Sequence, residues 1–234
     1  MSAYQALVLG ASGAIGNAFL KHFQNDPACT LAVGLSRQSD LHFELEDEDS
    51  MAHCAAALRN SSGLYGMCQF KYIIDATGAL TLDGQGPEKR LQALNAKQML
   101  RQLEVNAVGP ALLIKHFLPL LLTQGAACYA TLSARVGSIS DNHKGGWYGY
   151  RAAKAARNML LQTAAIEAAR QKPLAVFAAL QPGTVQSSLS AQFVAAQDAL
   201  MPQDSVAQLM RVLGDLKPTG RAQFVDYAGR QIPW

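Results

Sequence analysis

Ala6-Leu-Val-Leu-Gly10-Ala-Ser-Gly13-Ala-Ile-Gly16 is the stretch that decides how the chain is read. The apolar residues 6–9 have the length of a buried strand, and they run without a spacer into Gly10, Gly13 and Gly16. The next segment carries Phe19, Leu20 and Phe23 at helical spacing, so the order is strand, tight turn, amphipathic helix. Glycine suits such a turn because it accepts positive φ and lets other atoms approach the backbone closely. Unpaired N–H groups at the start of the following helix are then available to a phosphate or pyrophosphate. Gly10, Ser12, Gly13, Ala14, Ile15 and Gly16 are therefore candidate dinucleotide-binding residues.

Working outward, short runs rich in Val, Leu and Ile alternate with longer segments of helical period. That pattern predicts a parallel sheet covered by helices on both faces. Candidate strands are 6–9, 31–35, 42–45, 72–76, 127–132, 174–180 and 223–225, and candidate helices are 15–24, 49–58, 97–122, 150–169 and 205–214. The expected architecture is an α/β doubly wound parallel sheet of about seven strands, of the Rossmann type, in one domain over residues 1–234. The chain's 234 residues, half of them hydrophobic, suffice for one such core. No repeat or Pro/Ser-rich linker divides it. The acidic run from Glu44 to Asp49 falls where a strand hands over to a helix, as acids at a helix N-terminus do.

A net charge of +3 with 16% charged residues gives no single-sign field to recruit nucleic acid or an anionic membrane. No stretch has the length and apolarity of a membrane span or leader, which predicts a cytoplasmic chain. Cys29, Cys54, Cys68 and Cys128 are widely spaced, without a C-x-x-C or a histidine pair, and read as free thiols with no metal bound. The histidines share no spacing with acids or cysteines that would suit a metal site or a hydrolase triad.

At the end of the second strand a ribose-binding carboxylate is expected for NAD, but the sequence there is Gly34-Leu35-Ser36-Arg37. A hydroxyl and a guanidinium suit a phosphate on the ribose 2′ oxygen, so NADP(H) is expected over NAD(H), with Ser36 and Arg37 as its contacts. Further on, Tyr150-Arg-Ala-Ala-Lys154 puts a phenol and an amine one helical turn apart on one face. A phenol has a pKa near 10 and works poorly as acid or base unless a cation stabilises its anion. Lys154 is placed to do so. Pro110, four residues after Asn106, cannot donate to the Asn106 carbonyl, which predicts a kink and a carbonyl free to hold water.

Taken together, Gly10 to Gly16, the Val105-Asn-Ala-Val-Gly-Pro110 segment, the Tyr150/Lys154 pair and Pro182-Gly-Thr-Val185 resemble the short-chain dehydrogenase/reductase family in order and separation. The stretch Thr131 to Asn142, the Gly-Gly-Trp-Tyr-Gly-Tyr-Arg that follows and the ending Ile232-Pro-Trp234 resemble its C-factor-like branch, which is similar to the sniffer and carbonyl-reductase group. The resemblance implies a hydride transfer between nicotinamide and a carbonyl or alcohol. Tyr150 would be the general acid or base, Lys154 would hold the nicotinamide ribose, and Asn106 would place a relay water. It also adds Ala76, Gly78, Pro182, Gly183, Thr184 and Val185 to the cofactor contacts.

Two departures stand out. The family's catalytic serine lies three residues before the glycine after the fifth strand, and counting back from Gly137 gives Ala134. Either Ser133 takes the role through a bulge, or Ser138 or Ser140 does, or the contact is weakened. Asp75-Ala-Thr-Gly78 stands where the family usually has Asn-Asn-Ala-Gly. The substrate pocket is expected near Leu80, Trp147, Tyr148 and residues 187–193, whose apolar character suits a hydrophobic carbonyl compound. Helices 97–122 and 150–169 are apolar over more than one face, which predicts a homodimer or homotetramer. A second function class stays open: a catalytically weak nucleotide-binding signalling or sensor protein on the same fold.

Overall fold

The computed structural model describes residues 3–60, 68–187 and 196–234. Six parallel strands form one sheet: β1 (Tyr4–Leu9), β2 (Cys29–Leu35), β3 (Tyr72–Asp75), β4 (Ala127–Leu132), β5 (Ala175–Gln181) and β6 (Ala222–Asp226), in the order β2-β1-β3-β4-β5-β6. The doubly wound α/β expectation holds, with one strand fewer. Residues 42–45 do not form a strand; Ser36 and His42 make only an isolated bridge. Ser36 spends its backbone carbonyl on the N–H groups of Ser39 and Phe43, and Phe43 turns into the core, so the segment closes a loop and adds no row to the sheet.

The period of two sorts each strand's side chains to opposite faces. Leu7, Leu9, Ile73, Tyr129 and Phe177 meet α2 (Glu48–Arg59), α4 (Gly109–Phe117) and α5 (Tyr148–Ala168). Ala6, Val8, Ile74, Ala130 and Val176 meet α1 (Ala14–Gln24) and α6 (Pro202–Asp215). Asp47 starts α2 by accepting the N–H groups of Asp49 and Ser50 at 3.0 and 3.2 Å, which gives the acidic run its structural use.

The predicted helix 97–122 is interrupted. α3 (Ala96–Leu103) passes into a π turn, Glu104–Val108, and then into α4, whose first turn contains Pro110. The interruption expected from the missing proline N–H is present, and it takes the form of a widened turn. β1 and β3 pair up to Leu9 and Asp75, but β1 connects to β2 on one side and β3 to β4 on the other, and it is at such a reversal of strand order, outside the carboxyl ends, that ligands of open α/β sheets bind.

Candidate active site

The turn after β1 is built by contacts that exclude side chains. Gly10 has φ +83° and donates to the Leu35 carbonyl at 2.8 Å. A β-carbon on Gly16 would stand on the Gly10 carbonyl oxygen, and one on Gly10 would lie 3.0 Å from the carbonyl of Ala76. The start of α1 thus presses on the turn, and the turn presses on the end of β3. No side chain caps α1 and its first turn holds no acid, while Ser12, Gly13 and Ala14 are exposed. Free N–H donors on an open surface fit a pyrophosphate.

Ser36 and Arg37 follow β2. The buried Ser36 hydroxyl accepts from the Gln38 N–H at 3.1 Å. Arg37 is exposed, and its guanidinium makes no hydrogen bond or ion pair among the described residues. Across the sheet, Gly183 has φ +81° and packs against the Tyr227 ring. The Pro182 carbonyl accepts from Ser205 Oγ at 2.7 Å, and Thr184 and Val185 pair with Leu200. Ser187 ends the described part of that loop, and residues 188–193 of the expected substrate pocket lie outside the described residues.

Tyr150 and Lys154 are both buried, on one face of α5. Lys154 Nζ donates to the Leu132 carbonyl at the end of β4 at 3.0 Å and lies 5.6 Å from the centroid of the Tyr150 ring. The link to the glycine turn runs through Ala76 to Ala79. Gly78 has φ +122°, and the point where its β-carbon would stand is 2.7 Å from Asn106 Oδ1, 3.4 Å from an Arg157 Nη and 3.5 Å from Lys154 Nζ. Asn106 is fully buried: its Oδ1 accepts from Ala79 N–H at 3.0 Å, and its Nδ2 donates to the Ala79 carbonyl and to Gln102 Oε1, each at 2.8 Å. The π turn carries Asn106 to this corner, so the structure brings Gly10, Ala76, Gly78, Asn106, Tyr150 and Lys154 into one neighbourhood.

Electrostatics there depart from expectation. Burial pushes the Tyr150 phenol up to about 12, opposed by the nearby Arg157 guanidinium. Burial also pushes the Lys154 ammonium well below its ordinary value; Arg157 adds to the effect and Asp75 opposes it. In this geometry desolvation governs both groups, and the expected lowering of the phenol by the Lys154 ammonium is not realised.

The serines are committed elsewhere. Ser133 Oγ has one proton and donates it to Asn158 Oδ1 on α5 at 2.6 Å. Ser138 Oγ donates to the Pro233 carbonyl at 2.5 Å and Ser140 Oγ to the Trp234 carbonyl at 2.8 Å, so these two pin the chain's last residues. None of the three hydroxyl protons is free for a substrate oxygen. Leu80 is buried, with its carbonyl held by Gln102, Tyr148 is exposed, and the Trp147 ring meets the Tyr150 ring edge-on at 6.2 Å.

Sequence reasoning missed two supports of this corner. Arg157, one turn beyond Lys154, is buried and paired with Asp75; an acid inside an apolar strand was the signal that a cation had to face it. Glu88 is the other. Its carbonyl accepts from Trp147 N–H at 2.5 Å and its buried carboxylate accepts from Gly149 N–H at 3.0 Å, fixing the start of α5 one residue before Tyr150. Nothing in the local sequence marks it.

Residues 4–198 match the short chain dehydrogenase family model, and the chain belongs to that family. It is 34% identical over 137 residues to the C-signal of Myxococcus xanthus, covering 58% of this chain and 78% of that protein. A 1-hydroxy-2-glutathionyl-2-methyl-3-butene dehydrogenase of Rhodococcus sp. is 25% identical over 97% of this chain and 98% of its own. The NADPH-bound carbonyl reductase from chicken fatty liver superposes with a TM-score of 0.84 at 22% identity, covering all of both chains.

The crowding at Gly16 makes a first prediction. Gly16→Ala is expected to destabilise the protein by about 1–3 kcal/mol, read as a lower denaturant midpoint, and to weaken dinucleotide binding in a fluorescence titration. Unchanged values of both would show that the turn tolerates a side chain.

Proposed function

We propose that the chain is an NADP(H)-dependent oxidoreductase that transfers hydride between nicotinamide and a small carbonyl or alcohol substrate, with Tyr150 as the proton donor or acceptor. One observation carries the reading: Gly10 packs against Ala76 just after β3, and two residues later Gly78 packs against Lys154, so one short segment joins the uncapped helix start to the Tyr150/Lys154 face. Gly10, Ser12, Gly13, Ala14, Ile15 and Gly16 would hold the pyrophosphate. Ser36 and Arg37 would meet the 2′-phosphate, Ala76 and Gly78 would flank the sugar, and Pro182 to Val185 would line the nicotinamide end. The bound dinucleotide supplies or accepts the hydride.

The protein's own part is proton handling and positioning. Tyr150, kept protonated by burial, donates to the carbonyl oxygen as the alcohol forms and takes the proton back in the reverse direction. Lys154, fixed by the Leu132 carbonyl, would hold the nicotinamide ribose, and Asn106 supports the loop that both share. Leu80, Trp147 and Tyr148 give the substrate side an apolar wall, which suits a hydrophobic carbonyl compound. With Ala134 at the family's serine position and Ser133 bonded to Asn158, Tyr150 is the one side-chain donor among the described residues assigned to the carbonyl oxygen, and slow turnover is expected.

That missing donor, with the likeness to the C-signal, favours a second reading in which the chain senses or signals through cofactor binding with little turnover. In either case neither nucleic acid nor membrane is proposed as a partner, and no helix among the described residues is long and apolar enough to cross a membrane. We propose a cytoplasmic homodimer or homotetramer, since α3 to α5 and the π turn leave Leu100, Val108, Met159, Leu160 and Ile166 exposed.

Three measurements follow. In a screen of carbonyl compounds with NADPH, Tyr150→Phe is expected to abolish cofactor oxidation, while Ala134→Ser raises turnover on the order of 10²-fold. Turnover that survives Tyr150→Phe refutes the mechanism, and cofactor binding with no turnover in either form favours the second reading. NADPH is expected to bind more tightly than NADH by on the order of tenfold or more, a preference that Arg37→Ala removes; equal affinities overturn the cofactor assignment. Light scattering at micromolar concentration should give a multiple of the 25.0 kDa chain mass, and a monomeric mass rejects the assembly.

A further inference from the structure

Arg157 and Asp75 form an ion pair whose side chains are both about 1% exposed. One Arg157 Nη donates to Asp75 Oδ2 at 2.5 Å, the other to the Thr77 carbonyl at 2.9 Å, and Nε to Thr131 Oγ1 at 2.6 Å. Asp75 in turn accepts from the Thr77 N–H at 3.0 Å, from Thr77 Oγ1 at 2.5 Å and from Thr131 Oγ1 at 2.9 Å. The circuit joins β3, β4 and α5. A buried pair of this kind breaks roughly even against apolar packing, so stability alone does not account for it. Its distinctive product is a charge at a fixed place: the carboxylate lies on the sheet side, and the Nη bonded to Thr77 faces the point under Gly78 that Lys154 Nζ also faces.

We propose that Arg157, clamped by Asp75, is a positioning residue of the catalytic corner, which keeps a permanent positive charge beside Lys154 and Tyr150 and thereby sets the charge state of Lys154. A guanidinium stays protonated at every pH the fold survives, so it opposes a second cation next to it. Burial and Arg157 both push the Lys154 ammonium down, with Asp75 pulling the other way from behind the guanidinium. Arg157 also lowers the Tyr150 phenol against the effect of burial. The other groups at this corner are the Leu132 carbonyl from β4, Gln102 and Asn106 from α3 and the π turn, and the buried Glu88 carboxylate, which accepts from the Gly149 N–H.

The proposal rests on the reading of Tyr150 and Lys154 given above, and it is tested in a way that does not need turnover. Lysine ε-carbon resonances are titrated by NMR in the free protein, with Lys154 assigned by the signal lost in Lys154→Met. Removing both charges together in Asp75→Asn/Arg157→Leu leaves no orphaned ion, and the Lys154 midpoint is expected to rise, because Arg157 weighs more on Lys154 than the opposing Asp75 does. Should that variant not fold, Asp75→Asn/Arg157→Gln keeps an amide donor for the Thr77 carbonyl and carries the same expectation. A Lys154 midpoint unmoved in the folded variant overturns the proposal and leaves the pair a purely structural clamp. A protein that proves to bind no dinucleotide still gives this titration, so failure of the functional reading and failure of the proposal are told apart.

Discussion

The guanidinium of Arg157 lies where water cannot share it, and the segments that touch it have to be in place together. Removing either member of the Asp75 pair would leave an uncompensated buried charge, a loss of about 3–5 kcal/mol. The same contacts fix the Thr77 carbonyl and so the path of the chain through Gly78. Gly78 has no room for a side chain because Asn106, Arg157 and Lys154 converge on it. The end of β3, the crossing helix α5 and the π turn are thus one arrangement, and the glycine turn after β1 rests against its near side.

Much of this could be read from residues alone, and the reasons differ by element. The turn from Gly10 to Gly16 was legible because its glycines answer a local steric demand that appears as spacing. The layers were legible because alternate residues of β1, β3, β4 and β5 go to opposite cores. Residues 42–45 misled because alternation is also what a loop shows when Phe43 dips into the core beside a surface His42. The helix break at Pro110 was foreseen from a missing donor, but the π turn that absorbs it depends on how Asn106 packs. Arg157 and Glu88 act across 82 and 61 residues of chain, and contacts of that reach leave no periodicity to find.

The serine question shows the limit of adjacency. Ser133 sits next to the family's position, yet strand geometry sends successive side chains to opposite sides, and its N–H is already paired with the Leu180 carbonyl. Its hydroxyl therefore meets α5 through Asn158.

Trp147 has φ +54° and follows Gly145 and Gly146 at +62° and +66°, so three residues in a row are left-handed. For the two glycines this is free of steric cost, but for an indole-bearing residue it opposes the fold by about 1–2 kcal/mol. Arg151 ties the turn down through the Gly145 and Gly146 carbonyls. A third glycine would relax this strain and would also take away the ring that flanks Tyr150. The tryptophan thus holds its ring against Tyr150 at the expense of backbone strain, and the start of α5 is a stressed piece of the molecule.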